Sequence, residues 1–404
     1  MIKRKDFLNT MRRFCRTTII AACLLAPAFL AARPTSVPVR SASERDVPKF
    51  QVDANWPTMP NGWVFGQVSS TAIDDKNNVW VLHRPSSVRP GQKTGPPVMV
   101  FDEAGNYLRG WGGPGEGYDW PEREHGIYVD YKGFVWIGGY GNEDQILKFT
   151  QDGKFVIQIG HGGHKKTNQD TENFWRPAGM VVFPKTNELF VADGYGNKRI
   201  IVFDADTGKF KRMWGAFGKP PADSVAKTAS DGESAPSGTK KTADASRIPA
   251  KDLASDDPGP DQFNVVHDVK VSNDGFVYVS DRAGKRVQIF TIEGKYVDQI
   301  WIDRWCELFG QGCGNGQTAA STAFSADPEQ RFLYVASRSP ARILVFDRKS
   351  LKLLDSFGRP GVGPGEFDVL HHMTSDGKGN IYTSEVEDGH RVQKFVFKGI
   401  GAAK

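Results

Sequence analysis

Outside its first 32 residues the chain has little cysteine, no net charge and no long apolar run. Cysteine occurs only four times in 404 residues, and Cys15 and Cys23 fall within that leading stretch. Cys306 and Cys313, in the loop CELFGQGC, are too few to staple a small disulfide scaffold. In an oxidising compartment the two would form one bridge, and in a reducing one they would be free thiols. The formal net charge of +5 resides in the leader, where Lys3, Arg4, Lys5, Arg12, Arg13 and Arg16 outnumber Asp6. The remainder sums to zero, which leaves no basic surface to hold nucleic acid. No stretch beyond the leader repeats its apolar residues with a helical period, which excludes a helical bundle.

Residues 1–32 read as a secretory signal peptide: a basic start, an apolar core from Ile19 to Leu30, and small Ala31 and Ala32 at the end. The rival reading, a membrane anchor, needs roughly 20 apolar residues, and Arg16 and Pro27 interrupt the run well short of that. The mature chain is therefore expected to be secreted or periplasmic, with no membrane association after cleavage. Residues 33–404 form the expected single domain.

What is abundant is a repeat. An apolar strand, a turn rich in Asp, Lys, Gly and Asn, a second strand, the motif R-I/V-x-x-F, a G-K-F/Y turn and a last strand recur about every 40 residues, the length of one propeller blade. The motif or a close variant stands at 145–149 (QILKF), 199–203 (RIIVF), 286–290 (RVQIF), 342–346 (RILVF) and 391–395 (RVQKF). Units lie at about 65–112, 120–160, 174–215, 261–301, 317–358 and 365–399. The expected fold is all-β, a six-bladed β-propeller of NHL-like type. Its last blade runs out after a third strand, so PKFQVDANW at 48–56 is expected to supply the outer strand and latch the ring. Residues 220–260, rich in Ser, Ala, Asp, Lys and Pro, are expected to be a disordered surface insertion. A ring of this length needs no second copy, and a monomer is the expectation.

His125, His267 and His371 each stand eight residues before a glycine, Gly133, Gly275 and Gly379, in alternate repeats. A fixed offset is a fixed place in the folded unit, just ahead of the innermost strand. The matching places in the other blades are small, at Ser69, Ala178 and Thr322. Three imidazoles around an axis are the ligand set of a catalytic zinc with one open corner; each alone would be an ordinary core or turn residue. The ends of second strands open at the same mouth and carry Arg84, Tyr140, Tyr195 and Arg282. Tyr140 and Tyr195 share a GYGN turn, and the residues alone do not choose between them. Arg84 could be a rim cation, and Asp281 could pair with a neighbouring blade. Alternation should turn His83 and His372 away, His372 being structural or behind the ligands; His161 and His164 read as solvated turn residues and His390 as part of an outward strand.

The segments GQVSSTAIDDKNNVWVLHR, EHGIYVDYKGFVWIG, VADGYGNKRIIVF, VHDVKVSNDGFVYVSDRAGKRVQIF and LHHMTSDGKGNIY resemble those of peptidyl-α-hydroxyglycine α-amidating lyase, a zinc propeller enzyme. The resemblance runs over about 60–399 except the insertion. It implies zinc on His125, His267 and His371, a catalytic Tyr195, and active-site arginines at Arg84 and Arg282. It also implies the splitting of a peptidyl or small acyl α-hydroxyglycine into an amide and glyoxylate. Two departures stand out: the family's calcium-binding aspartate is His372 here, which argues against calcium, and the cysteine beside its tyrosine is Gly196.

In that chemistry the substrate hydroxyl loses a proton as the C–N bond breaks. A free phenol titrates near about 10, and a neighbouring cation favours its ionised form, making Tyr195 a credible base. An arginine would hold the substrate carboxylate. Two other functions compete: a lactonase or other hydrolase on the same metal cage, and a non-enzymatic NHL-repeat binding module.

Overall fold

The computed structural model describes residues 46–141, 144–163, 167–223, 257–306 and 316–403. Residues 1–32, expected to be a signal peptide, most of the 220–260 segment expected to be an insertion, His164 and Cys313 lie outside the described residues.

Six four-stranded antiparallel sheets are arranged in a ring. The first blade comprises Gln67–Ile73, Val79–Arg84, Val98–Phe101 and Tyr107–Trp111. The second comprises Arg123–Val129, Val135–Tyr140, Gln145–Phe149 and Phe155–Ile159, and the third Pro177–Phe183, Glu188–Asp193, Arg199–Asp204 and Phe210–Trp214. The fourth runs through Val266–Val271, Phe276–Asp281, Arg286–Thr291 and Tyr296–Trp301, and the fifth through Ala319–Phe324, Phe332–Ser337, Arg342–Asp347 and Leu353–Phe357. Leu370–Ser375, Ile381–Glu385 and Arg391–Ala402 form the sixth, whose third strand runs further than its motif suggested.

The strand Asp46–Asp53 pairs antiparallel with Arg391–Ala402 and completes the sixth blade, as its sequence position implied. First strands pack blade against blade around the axis, and Leu370–Ser375 returns onto Gln67–Ile73 to close the circle. The latch is held by rings as well as by ladder bonds. Phe50 stacks on Phe357 at 4.9 Å and meets Tyr334 edge-on at 5.7 Å.

Both faces of each inner sheet are buried, so the core is divided into hydrophobic clusters that each lie between two neighbouring blades. The repeated aspartates explain the turn composition. Asp74 accepts from the backbone N–H of Lys76 and Asn78 and from Trp80 Nε1; Asp130 does the same for Lys132, Phe134 and Trp136. Each carboxylate closes the hairpin between first and second strands and pins an indole in the wall. The arginine that opens R-I/V-x-x-F also has a fixed partner. Arg199 meets Asp193 at 2.9 Å and Arg286 meets Asp281 at 3.0 Å, all four side chains fully buried. Asp281 thus pairs within its own blade, not with a neighbour.

One irregularity recurs in every first strand. The ladder to the second strand slips at Val68/Ser70, Glu124/Gly126, Pro177/Met180, Val266/Asp268, Ala319/Ser321 and Leu370/His372. Each slip is a β-bulge, and the residue left opposite no partner is Ser69, His125, Ala320, His267 or His371, with Ala178 and Gly179 sharing the place in the third blade. The three histidines therefore lie inside the first strands, not ahead of them. The fifth-blade counterpart is Ala320, not Thr322, because the sequence offset does not reveal which residue is squeezed out of the ladder.

Truncating Phe50 to alanine removes the ring that ties the latch to the fifth blade. It should cost about 2 kcal/mol in denaturant unfolding, below the range for a fully buried Phe→Ala change because Phe50 is half-buried. Leu108→Ala, on an exposed outer strand, should stay within about 0.5 kcal/mol.

Candidate metal centre

A bulge residue makes no ladder pair, so its side chain is free to tip off the sheet toward the axis. His125, His267 and His371 all do this, and none is accessible to solvent. Their ring centroids stand 5.0, 4.8 and 4.6 Å apart, and their candidate ligand atoms all fall within 4.8 Å of one another.

The odd blades do more than leave room. His267 Nδ1 lies 2.6 Å from the carbonyl of Ala320, and His371 Nδ1 lies 2.6 Å from that of Ser69. A carbonyl only accepts, so both Nδ1 atoms carry the hydrogen and both Nε2 atoms present a lone pair. Those two Nε2 atoms are 3.2 Å apart. Neither can donate to the other, and the contact calls for a shared electrophile. Burial first, then the charge on Arg282 and the neighbouring imidazoles, holds His267 well below the usual imidazole pKa, which rules against a proton in that place. Two Zn–N bonds of about 2.05 Å at a tetrahedral angle set their nitrogens about 3.3 Å apart. The residues fit a tetrahedral metal with imidazole ligands.

Tyr195 completes the cluster. Its hydroxyl is 3.0 Å from His125 Nε2 and accepts a hydrogen bond of 2.8 Å from Arg282 Nη1, with the guanidinium 4.9 Å above its ring. The hydroxyl thus stands beside the nitrogen that a cation on His125 would take. Tyr140 packs behind, 5.2 Å from Tyr195 and 5.7 Å from His125, with Arg123 and Arg176 each 5.7 Å from its ring. The two tyrosines do not occupy one place. Tyr140 ends its strand opposite Arg123, whereas Tyr195 follows the last residue of its strand by two, with Gly194 between. A Cβ on Gly194 would lie 2.0 Å from the carbonyl of Val266, so only glycine allows this approach. Arg84 is buried, donating from Nε to the carbonyl of Glu124 at 2.9 Å and from Nη1 to Gln67 at 2.8 Å.

Alternation fails at a bulge, so His372 is not turned away as expected. Its ring lies 4.8 Å from that of His267, its Nδ1 is 3.0 Å from Ser70 Oγ, and burial pushes its pKa down to about 3. Beside it Asp268, fully buried, is engaged by Lys270 at 2.7 Å, by Ser321 Oγ at 2.6 Å and by the N–H of Thr322. Among the described residues, His83 and His161 are held elsewhere. His83 accepts from the N–H of Gly66 and lies 2.9 Å from the carbonyl of Pro96, and His161 is exposed beside Gln158.

A model of the NHL repeat matches residues 174–203. NHL repeat-containing protein 3 of Homo sapiens is 26% identical over 369 residues, 86% of this chain and 84% of that protein. Peptidyl-glycine alpha-amidating monooxygenase A of Xenopus laevis is 24% identical over 366 residues, 86% of this chain but 33% of that longer protein. Peptidyl-alpha-hydroxyglycine alpha-amidating lyase 2 of Drosophila melanogaster is 30% identical over 194 residues, 44% of each chain. A structural genomics protein of unknown function from Bacteroides thetaiotaomicron superposes over 87% of this chain and 76% of its own with a TM-score of 0.52 at 13% identity, a likeness of fold. The chain is thus a six-bladed propeller with one match to the NHL repeat and a distant similarity to amidating lyases, and it carries a histidine cluster able to hold a metal.

Protein purified in zinc should carry about one ion per chain, read by plasma mass spectrometry, and His267→Ala should carry none. Because His267 stays neutral far below the usual imidazole range, protons should not displace the metal from it as pH falls from about 7 to about 6. A zinc affinity that drops steeply across that window would contradict a neutral His267.

Proposed function

We propose that the chain is a secreted or periplasmic zinc-dependent lyase that splits N-acyl- or peptidyl-α-hydroxyglycine into the amide and glyoxylate. The observation that carries this reading is the Tyr195 hydroxyl, held between His125 and Arg282 at the imidazole cluster. A hydroxyl proton must leave the substrate at that spot, and a phenolate is suited to take it.

Zinc on His125, His267 and His371 would supply Lewis acidity to the substrate hydroxyl and stabilise Tyr195 in its ionised form. Tyr195 takes the hydroxyl proton; the C–O bond becomes the aldehyde of glyoxylate as the C–N bond breaks, and its electron pair passes to the amide nitrogen. The proton then returns from Tyr195 to that nitrogen, so the step balances without water. Arg84 and Arg282, at the ends of second strands, hold the substrate carboxylate.

A lactonase on the same cage would use the metal to lower the pKa of a bound water, and the glyoxylate assay separates the two reactions. The binding-module reading draws on the similarity to NHL repeat-containing protein 3, whose name states a repeat and no reaction. Calcium has no part in this proposal.

The zinc-loaded protein should release glyoxylate from α-hydroxyhippurate, measured by coupled reduction. Tyr195→Phe should lower kcat by about 10²–10⁴-fold, the range for loss of a general base, while zinc content is kept. Zinc-loaded protein that releases no glyoxylate but opens lactones would overturn the proposal.

A further inference from the structure

Register places one residue of each blade at the top of its second strand, two before the bulge on the partner strand. In the first, second and fourth blades these are Arg84, Tyr140 and Arg282: Arg84 pairs with Gln67, Tyr140 with Arg123, and the N–H of Arg282 donates to Val265. In the fifth blade the same count reaches Arg338, whose N–H donates to Thr318 at 2.8 Å. Thr318 in turn donates its own N–H to the carbonyl of Arg282 at 3.0 Å. The two arginines therefore hang from one residue at adjacent places on the mouth. They are also buried alike, Arg282 at 0% and Arg338 at 5% exposure.

Arg338 differs in what it holds. Its Nη2 donates to Glu387 Oε1 at 2.8 Å, and Glu387, on the turn after the second strand of the sixth blade, keeps 33% of its side chain in solvent. Glu387 also sits at a φ of 56°, the left-handed region that a residue with a Cβ rarely adopts unless its surroundings impose it. A carboxylate carried on an exposed turn thus rests on a buried guanidinium beside the arginine assigned to the substrate.

We infer that Arg338 is a specificity-determining residue that receives a second carboxylate, on the acyl side of the substrate, and that Glu387 occupies its place until the substrate displaces it. This rests on the lyase reading of the same site. The preferred substrates are then acyl-α-hydroxyglycines whose acyl group is itself acidic, such as a dicarboxylic acyl chain or a peptide ending in an acidic residue. Exchange of one carboxylate for another keeps the buried guanidinium paired throughout, which avoids leaving a buried charge alone.

The test is calorimetric titration of the zinc-loaded protein with two stable glycine conjugates of equal shape, N-succinylglycine and its half-amide N-succinamoylglycine, which keep the glycine carboxylate and differ only in the acyl-end charge. The wild type should bind the acid more tightly by roughly tenfold, the scale of one charge-assisted hydrogen bond. Arg338→Gln should erase that ratio, Arg338→Lys should keep part of it, and Glu387→Gln should widen it by removing the competitor. Equal binding of the two ligands by the wild type, or a ratio unchanged in Glu387→Gln, overturns the inference, the latter even if Arg338→Gln does not fold. Binding is read without turnover. A preserved ratio with no glyoxylate release sinks the reaction and spares this assignment; glyoxylate release with no ratio does the reverse.

Discussion

The site depends on a slip in the ladder between the first and second strands of each blade. Where that ladder skips a residue, the skipped side chain and carbonyl lose their place in the sheet and turn to the axis. Even blades spend the slip on an imidazole: His125, His267 and His371. In the first and fifth blades it turns a carbonyl instead, and Ser69 and Ala320 set the tautomers of His371 and His267 from 2.6 Å. A partner on the far nitrogen is what orients a metal-bound histidine and raises its basicity. Here that partner is backbone, so no side-chain substitution removes it directly.

Ring closure serves the same end. His371 lies on the first strand of the blade that is completed from two chain segments, Asp46–Asp53 and 370–402. The latch at Phe50 therefore fixes the position of one of the three ligands. The surrounding wall is braced independently: Asp74, Asp130 and Asp376 pin the hairpin turns of the first, second and sixth blades, and buried arginine pairs lock strand two to strand three in the third and fourth. Burial of the cluster keeps His267 neutral, which suits it to a cation and not to a proton.

The fold was legible because its signals are local and repeated. Turn aspartates, R-I/V-x-x-F and the unpaired 48–56 segment each report on neighbours in sequence, and the observed blades match them closely. The convergence of His125, His267 and His371 was legible for the same reason, as a shared offset. What escaped was register. A bulge is invisible to an alternation argument, so Thr322 was taken for the fifth-blade counterpart in place of Ala320, His372 was expected to face away, and Tyr140 and Tyr195 seemed equivalent although Gly194 separates their positions. Arg338 was missed although it stands four residues before Arg342, as Arg282 stands four before Arg286; the ladder confirms that the two share one layer.

The central claim is that these three imidazoles bind one ion through Nε2. X-ray absorption at the zinc edge of the metal-loaded protein tests it directly. The account predicts three imidazole nitrogens at about 2.0–2.1 Å with one further light scatterer. A first shell with fewer than three imidazoles, or one dominated by carboxylate oxygen or sulfur, would contradict it.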